Sequence, residues 1–394
     1  MSWQEKPVGE TFRVVNGGTP KTGVAKYWGG PHKWITPAEM GGLDSPHLSE
    51  SRRALTDEGL RIGAELIPAN SIILSSRAPI GHLVINDVPM AFNQGCKGLV
   101  PVAGIDTKFA YYFFLANVPL LESLGTGTTF KELSGGKLKE VLFRFPGLPE
   151  QRRIVTILDE AFAGIATAKA NAEKSLRSAR EVSGSISQQM LDSTGGNELS
   201  LESVAAEDCS LSYGIVQPGD DVEGGLPVVR PVDLTREVIT LDGLKRINPE
   251  LATSYQRTRL QGGELLLCVR GTTGTVSVAA PELKGANVTR GIVPIRFNLE
   301  RVAPAFGYHL MKSAGVQSQI REKTYGTALM QINIGDLRNI SVTIPPLTQQ
   351  HELAERLDAV RKETRRLESL NTRKLAVLDE LRQSLLQQAF SGQF

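Results

Sequence analysis

The sequence begins the same long helix twice, 199 residues apart. The stretch PGLPEQRRIVTILD starts at Pro146, and the stretch PPLTQQHELAERLD starts at Pro345. Residues 127–191 align without a gap on residues 326–390, with 14 identities in 65 positions. An internal repeat of this length indicates a fold that contains two copies of one structural unit.

Both repeats have the pattern of a long coiled-coil helix. Apolar residues recur at alternating steps of four and three, which is typical of a coiled-coil seam. Pro149 and Thr348 suit the first positions of a helix, and Gly195 and Gly196 end the first repeat. Each helix should therefore cover about 42 residues and be roughly 60 Å long.

Both seams share a 4-4-3 step near the middle, so the two helices can pair in antiparallel orientation with these steps facing each other. The residues predicted to form the pairing seam are Ile154, Leu158, Ile165, Leu176, Ile186, Leu353, Leu357, Val360, Leu367, Leu375, Leu378 and Leu385.

The segments that precede the two helices are rich in glycine and proline and contain short apolar runs. Runs at 72–76, 99–102, 264–269 and 292–297 are bounded by turn residues, which predicts short strands. The stretch IILSSRAPIGHLVI at 72–85 also resembles LLLCVRGTTGTVSV at 265–278. We therefore predict an α+β chain with a pseudo-two-fold repeat. Its segments are a globular block of mixed α/β structure (1–145), a helix (146–195), a second such block (196–344) and a second helix (345–394).

The composition is typical of a soluble protein. Hydrophobic residues make up 41% of the 394 residues, and no apolar run approaches the roughly 18 residues that cross a bilayer. The N-terminus lacks an apolar signal segment, so we expect a cytoplasmic protein without membrane association. The three scattered cysteines fit reduced thiols. A net charge of +2 is small for a nucleic-acid-binding protein.

The sequence lacks the motifs of common catalytic and metal sites. Its glycine-rich stretches lack the Lys-Ser/Thr pair of a phosphate-binding loop. The five histidines form no i, i+4 pair, and no Gly-x-Ser-x-Gly motif occurs. We therefore expect no catalytic residues and no metal ligands, and a protein that binds and spaces other molecules rather than an enzyme.

With these features in view, the chain resembles the DNA-specificity (S) subunits of type I restriction–modification systems over essentially its whole length. The two helix starts look like the central and C-terminal helical regions of that family. GGTPKTGVAKYWGGPHKWITPAEM at 17–40 and AFNQGCKGLVP at 91–101 are similar to one class of target recognition domain. GGLPVVRPVDL at 224–234, LQGGELLLCVRGTTGTV at 260–276 and GANVTRGIVPI at 285–295 are similar to another.

The resemblance implies a phage-defence role in which each globular block is a target recognition domain that reads one half of a split site in double-stranded DNA. The antiparallel helices would set the unread gap, and two methyltransferase (M) subunits would dock on them. Restriction/translocase (R) subunits would join this core. The chain itself would need no cofactor, whereas the assembled complex would use S-adenosylmethionine, ATP and Mg through its partners. The pseudo-two-fold repeat would match the pseudo-dyad of the duplex.

Candidate DNA-binding residues follow from the chemistry of base edges and phosphates. Arg and Lys suit guanine and phosphates, whereas Asn and Gln suit adenine. The candidates in the first block are Lys21, Lys26, Tyr27, Lys33, Arg77, Asn93, Gln94, Lys97 and Thr128. Those in the second block are Tyr213, Gln217, Arg230, Arg257, Arg259, Arg270, Thr272, Thr273, Asn287, Arg290 and Thr327.

Structural roles are alternatives for several of these residues. Trp28 and Trp34 fit a core better than a stacking surface. Asn93 and Asn287 fit turn-stabilising hydrogen bonds as well as base contacts. Arg77 and Arg270, which recur at the same place in the two blocks, fit a structural ion pair as well as DNA binding.

Two other functions compete with DNA recognition. One is a scaffold that carries two sugar- or peptide-binding modules on a coiled-coil stalk, which the small net charge slightly favours. The other is an enzyme whose site requires a cluster of acids or histidines within one block. Salt discriminates between DNA and apolar ligands, because binding that neutralises phosphates weakens steeply as salt rises.

Overall fold

The computed structural model describes residues 3–43, 45–77, 79–127, 131–327 and 329–391. The chain divides into two compact units. Unit 1 consists of Met1–Ala172 and Arg373–Phe394, and unit 2 consists of Glu173–Thr372. Both boundaries fall inside the long helices, so each unit combines one globular block with a part of both helices.

Unit 1 has its strands and short helices in the first globular block. Its elements are β1 (Gln4–Pro7), α1 (Val8–Thr11), β2 (Phe12–Asn16), β3 (Trp28–Ile35), α2 (Pro37–Met40), β4 (His47–Leu48), β5 (Arg53–Leu55), α3 (Asp57–Gly63), β6 (Ser71–Ser76), β7 (Ile80–Asn86), β8 (Met90–Phe92), β9 (Cys96–Pro101), α4 (Thr107–Ala116), α5 (Val118–Leu124), α6 (Gly135–Glu140) and β10 (Leu142–Phe145). The long helix α7 (Leu148–Asp192) begins in this unit.

The sheets of unit 1 surround the predicted strand at 72–76. β6 is buried at every position and lies between β9 and β7 in a sheet of order β2-β9-β6-β7-β4. A second sheet has the order β5-β3-β8, and β1 pairs with β10. Fully buried strands read as continuous apolar runs, which is why this strand was predictable.

Unit 2 repeats this plan in the second globular block. Its elements are β11 (Asn197–Ser200), α8 (Leu201–Val204), β12 (Leu226–Val229), β13 (Val238–Ile239), β14 (Lys245–Ile247), β15 (Leu265–Cys268), β16 (Val276–Ala279), β17 (Asn287–Val288), β18 (Ile292–Ile295), α9 (Pro304–Lys312), α10 (Ala314–Glu322), β19 (Thr324–Tyr325), β20 (Gln331–Ile332), α11 (Ile334–Arg338) and β21 (Ser341–Ile344). The long helix α12 (Leu347–Ser391) begins in this unit.

The sheets of the two units share their strand order, except that β2 adds a fifth strand to the main sheet of unit 1. The order β13-β16-β15-β18 corresponds to β4-β7-β6-β9, and the order β14-β12-β17 corresponds to β5-β3-β8. The directions agree as well, because β4 runs parallel to β7 as β13 does to β16, and β3 runs parallel to β8 as β12 does to β17. The internal repeat therefore includes the globular blocks, where the sequence shows it only faintly.

The two long helices pack against each other in antiparallel orientation within each unit. In unit 1, Lys169 Nζ donates a hydrogen bond to Asp379 Oδ1 at 2.5 Å. In unit 2, Arg180 Nε donates to Glu368 Oε1 at 2.6 Å. The predicted antiparallel pairing is confirmed.

Most of the predicted seam residues are buried or half-buried. Ile154 and Leu158 in unit 1 lie in one apolar cluster with residues near the end of α12, and Leu353 and Leu357 in unit 2 lie in another. Ile165 is also buried. The half-buried members of the predicted seam are Leu176, Val360, Leu375, Leu378 and Leu385.

The seam prediction is wrong for Ile186 and Leu367, which are each 37% exposed. Beyond the 4-4-3 step the half-buried side of α7 includes Ser183 and Ser187 instead. A helix with 3.6 residues per turn drifts relative to a 3.5-residue repeat. In addition, Gln188 Oε1 accepts a hydrogen bond from the Ala314 N–H at 2.9 Å, so the globular block packs against this side of the helix.

A buried glutamine explains why the two helices begin with the same sequence. Gln151 in unit 1 is 0% exposed. Its Oε1 accepts from the Asp106 N–H at 2.8 Å, and its Nε2 donates to Gly104 O at 3.0 Å and to Pro146 O at 2.9 Å. This one side chain therefore attaches the helix to the loop before α4.

Gln350 makes the same bonds in unit 2, where it is also 0% exposed. It accepts from the Ala303 N–H at 2.8 Å and donates to Arg301 O and Pro345 O, each at 2.7 Å. Gln151 and Gln350 are equivalent under the 199-residue shift, so the repeated sequence encodes a repeated attachment of helix to block.

About two turns farther along, an aspartate makes a second attachment in each unit. Asp159 accepts from Tyr112 Oη at 2.5 Å and from Lys108 Nζ at 2.7 Å. Asp358, at the equivalent position, is hydrogen-bonded to His309 Nε2 at 2.9 Å.

No helix in the described part of the chain is long and apolar enough to cross a membrane.

Candidate nucleic-acid interface

Unit 1 has a tight turn between β8 and β9, which we call turn 1 (residues 93–96). The Cys96 N–H donates to Asn93 O at 3.0 Å, which closes the turn. The Ser76 N–H, at the end of β6, donates to Gly95 O at 2.7 Å. Gln94 is thus held at the tip of a turn that the neighbouring strand fixes in place.

Unit 2 has the same turn between β17 and β18, which we call turn 2 (residues 289–292). The Ile292 N–H donates to Thr289 O at 2.9 Å, and the Val269 N–H donates to Gly291 O at 2.8 Å. Arg290 therefore occupies the position in turn 2 that Gln94 occupies in turn 1. The candidate stretches AFNQGC and GANVTRG are structurally equivalent, although few of their residues are identical.

An arginine lies beside each turn at an equivalent position. A Cβ on Gly95 would lie 3.2 Å from Arg77 Nε, and Arg77 Nη1 lies 3.8 Å from Glu132 Oε2. In unit 2, Arg270 pairs through its backbone with Gln331, as Arg77 does with Glu132. The Nε of Arg270 is buried and has no hydrogen-bond partner among the described residues.

Basic side chains lie near both turns. Lys97 is 6% exposed, and burial lowers the pKa of its ammonium group, while the charge of Glu132 opposes this change. Burial raises the pKa of Tyr213 in unit 2, and the charges of Arg290 and Arg270 act in the opposite direction. Each turn therefore has two basic side chains near it, and in unit 1 the Glu132 carboxylate lies near both of them.

The remaining candidates of the first block lie on β3 and the segment before it. Lys21 and Lys26 are exposed, and Tyr27 and Lys33 are half-buried. Lys26 Nζ donates to Glu58 at 2.5 Å, and Lys33 is paired with Glu50. These two lysines already have acidic partners, which must be displaced if they bind phosphates. Thr128 lies outside the described residues.

Two candidates of the second block have structural roles. Asn287 is 1% exposed; its Oδ1 accepts from Thr258 Oγ1 at 2.7 Å and its Nδ2 donates to Tyr255 O at 3.0 Å. The prediction that Asn287 contacts DNA is corrected, because both ends of its amide are used inside the unit. The Arg230 guanidinium is bound to Asp233 at 2.8 Å, where it supports the helical turn after β12.

Tyr213 and Asn93 are each partly engaged. Tyr213 Oη donates to Ile332 O at 2.8 Å. Asn93 Oδ1 accepts from the Gly95 N–H at 2.9 Å, which leaves its half-buried amide nitrogen beside the turn. The exposed candidates of the second block are Gln217, Arg257, Arg259, Thr272, Arg290 and Thr327, and Thr273 is half-buried.

Thr19 and Arg53 also make contacts near the site, and the local sequence does not indicate them. Thr19 Oγ1 donates to the Gln94 amide oxygen, and the Arg53 guanidinium lies 3.4 Å from the centre of the Trp28 ring. Sequence separations of 75 and 25 residues left no local signal for either contact. Glu132 and Gln331 could have been found, because they align under the 199-residue shift.

Trp34 is a core residue, as the sequence indicates. It is 2% exposed and lies edge-to-face against Trp28, with ring centres 5.0 Å apart. Within the described residues no group of three or more His, Cys, Asp or Glu side chains is placed to hold a metal ion.

Both repeated units match the model of one known protein family. The model of the type I restriction modification DNA specificity domain matches residues 1–175 and 219–375, which include both turns. The chain belongs to this family. The resemblance recognised in the sequence is therefore confirmed.

Individual members of the family match the chain in part or along most of its length. It is 34% identical over 159 residues to the type I restriction enzyme MjaIX specificity subunit of Methanocaldococcus jannaschii. That match covers 40% of this chain and 37% of the relative. It is 25% identical over 330 residues to the EcoBI specificity subunit of Escherichia coli, covering 77% of this chain and 69% of the relative.

Solved structures of the family share the fold. A chain from a study of the assembly and conformational transition of the type I R-M system has a TM-score of 0.76 at 17% identity, covering 98% of this chain and 97% of that one. The HsdS subunit from Thermoanaerobacter tengcongensis has a TM-score of 0.59 at 16% identity, covering 100% and 97%. The predicted architecture, with two globular mixed α/β domains and two long paired helices, is confirmed.

Proposed function

We propose that the chain is the DNA-specificity subunit of a type I restriction–modification complex and that each globular block reads one half of a bipartite target. The observation that carries the proposal is the pair of equivalent turns beside Arg77 and Arg270. Each turn exposes a side chain of a type that binds base edges, namely Gln94 in unit 1 and Arg290 in unit 2. Two such sites on a duplicated framework suit a target made of two short sequences.

The long helices would then set the distance between the two halves and bind the methyltransferase subunits. Several apolar side chains on the outer surface of these helices support a docking role. Val182 is 56% exposed and Val377 is 52% exposed. Exposed apolar patches on a soluble protein mark surfaces that a partner covers. The others of this kind are Ile186, Leu367, Leu370 and Leu381.

Catalysis would belong to the partners. In this proposal the chain contributes no reacting group, and S-adenosylmethionine, ATP and Mg are bound by the methyltransferase and the restriction/translocase subunits.

The test is to co-express the chain with its methyltransferase subunit and to map modified adenines by single-molecule sequencing. We expect a split motif, with two defined halves separated by a gap of fixed length. Binding of the purified complex to that motif should weaken steeply as the salt concentration rises, because phosphate contacts release counterions. A soluble, assembled complex that modifies DNA without any sequence preference would contradict the proposal and favour a scaffold.

A further inference from the structure

The framework around turns 1 and 2 is the same beyond the turns themselves. The Leu133 N–H donates to Ser76 O at 2.9 Å, and the Ile332 N–H donates to Val269 O at 3.1 Å. Leu133 and Ile332 are again 199 residues apart. The position of each turn relative to its sheet is therefore fixed by equivalent bonds.

The opposite side of each turn is bound in the same way. The Gly18 N–H donates to Phe92 O at 2.9 Å in unit 1, and the Ile215 N–H donates to Val288 O at 2.8 Å in unit 2. Phe92 and Val288 are the last residues of β8 and β17, directly before the turns. Because equivalent bonds hold the backbone on both sides of each turn, the side chains of Gln94 and Arg290 project from equivalent backbone positions.

Within this framework one side chain of each turn is exposed. Gln94 is exposed, whereas Gly95 and Cys96 after it are buried. Arg290 is exposed, whereas Gly291 and Ile292 after it are buried. The turn thus presents a single residue to solvent from a rigid base, which is the arrangement that a base-reading group requires.

The two turns differ at this exposed position and agree beside it. Arg77 and Arg270 are the same residue type, so the neighbouring positive charge is common to both units. Gln94 and Arg290 differ in charge and in hydrogen-bonding groups. If the two units recognise different half-sites, the residues that contact the bases must differ between them. The residues that contact the phosphate backbone of the DNA can be the same.

The chemistry of the two side chains selects different bases. A glutamine amide binds adenine through its N6 and N7, and an arginine guanidinium binds guanine through its O6 and N7. The Thr19 hydroxyl donates to the Gln94 amide oxygen, which retains a second lone pair for the adenine amino group. This contact also fixes the plane of the amide.

We propose that Gln94 and Arg290 are the specificity-determining residues of turns 1 and 2, with Gln94 selecting an adenine in one half-site and Arg290 selecting a guanine in the other. The inference rests on the proposed function, since it assigns a base to each of the two reading sites.

The test exchanges the two side chains in the complex with the methyltransferase. The wild-type complex is mapped first; a split motif establishes the proposed function independently of the variants. We then expect Arg290→Gln to replace guanine by adenine at one position of one half, and Gln94→Arg to make the opposite change in the other half. A bidentate contact of this kind changes the preference between bases by about 5- to 150-fold.

The controls alter charge elsewhere on the same units. Arg321→Gln removes a positive charge from an exposed position of α10, and Gln4→Arg adds one at an exposed position of β1. Both should leave the motif unchanged. If an exchange abolishes methylation, selection of bound DNA from a library with one randomised half reads the preference directly.

Conservative variants separate base reading from damage to the turn. Arg290→Lys and Gln94→Asn keep side chains that still bind guanine and adenine, so the wild-type bases should remain, with a smaller preference. A wild-type split motif together with unchanged base preferences in Arg290→Gln and Gln94→Arg would overturn the inference while leaving the proposed function intact. Equal weakening of all sequences would show that the residues contact phosphates only.

Discussion

Replacing Gln151 by methionine should strongly destabilise unit 1. The substitution keeps the length of the side chain and removes three hydrogen bonds, those with the Asp106 N–H, Gly104 O and Pro146 O. Because Gln151 is 0% exposed, water does not replace them in the folded state. At about 1 kcal/mol per bond, and up to about 3 kcal/mol for each of the three buried groups left without a partner, the expected loss is about 3–9 kcal/mol. That is a large share of the roughly 5–15 kcal/mol that stabilises a typical domain.

The assay is urea-induced unfolding, with hydrogen exchange of the Asp106 amide as the local readout. Gln350→Met should produce a loss of the same size and accelerate exchange at Ala303, since the same three bonds are removed in unit 2. The matched control is Gln189→Met, at an exposed position on the same helix as Gln151. If Gln151→Met costs no more than the control, the buried glutamine does not anchor the helix and the explanation of the repeated helix start is wrong.

Two further predictions concern titratable groups. Burial lowers the pKa of His309 below its usual value of about 6.5, and this outweighs the hydrogen bond to Asp358. The unfolded chain then binds the proton first, so stability is present above about pH 6.5 and is lost as the pH falls through the folded pKa; urea midpoints should show this slope, and His309→Gln should flatten it. Burial raises the pKa of the Cys96 thiol to about 12. Iodoacetamide at mildly alkaline pH should therefore leave Cys96 unmodified in the folded protein, and rapid labelling seen by mass spectrometry would contradict the burial of this last residue of turn 1.

The sequence predicted the parts of the fold that depend on local pattern. The strand at 72–76 and the strand at 292–295 lie where continuous apolar runs end in turn residues. The long helices begin at Leu148 and Leu347, directly after the prolines that forbid helix upstream. Such signals arise within a few residues of each other, so they need no knowledge of the tertiary structure.

The candidate site was less predictable, because it depends on contacts between distant segments. Asn287 and Gln94 are both amides in stretches that resemble a recognition motif, but one is 1% exposed and the other lies at the surface. Thr258 lies 29 residues before Asn287, and the sequence between them does not predict the hydrogen bond that gives Asn287 a structural role. Burial of this kind depends on the tertiary contacts of the folded unit, so it cannot be predicted from the residue type alone.

The exposed apolar residues of the long helices show a different limit of sequence pattern. Ile186 and Leu367 fit the seam by spacing, yet they lie outside it. An apolar repeat reports which residues avoid water and not which surface covers them, so a seam within the chain and a docking face for another protein produce similar patterns. A helix that carries only its own seam gains nothing from additional valines and leucines on its outer side, since exposed apolar surface favours non-specific association. The spacing of apolar residues in the two repeats is therefore compatible with a second apolar face besides the one that pairs the helices, and the proposed docking of a methyltransferase subunit would cover that face.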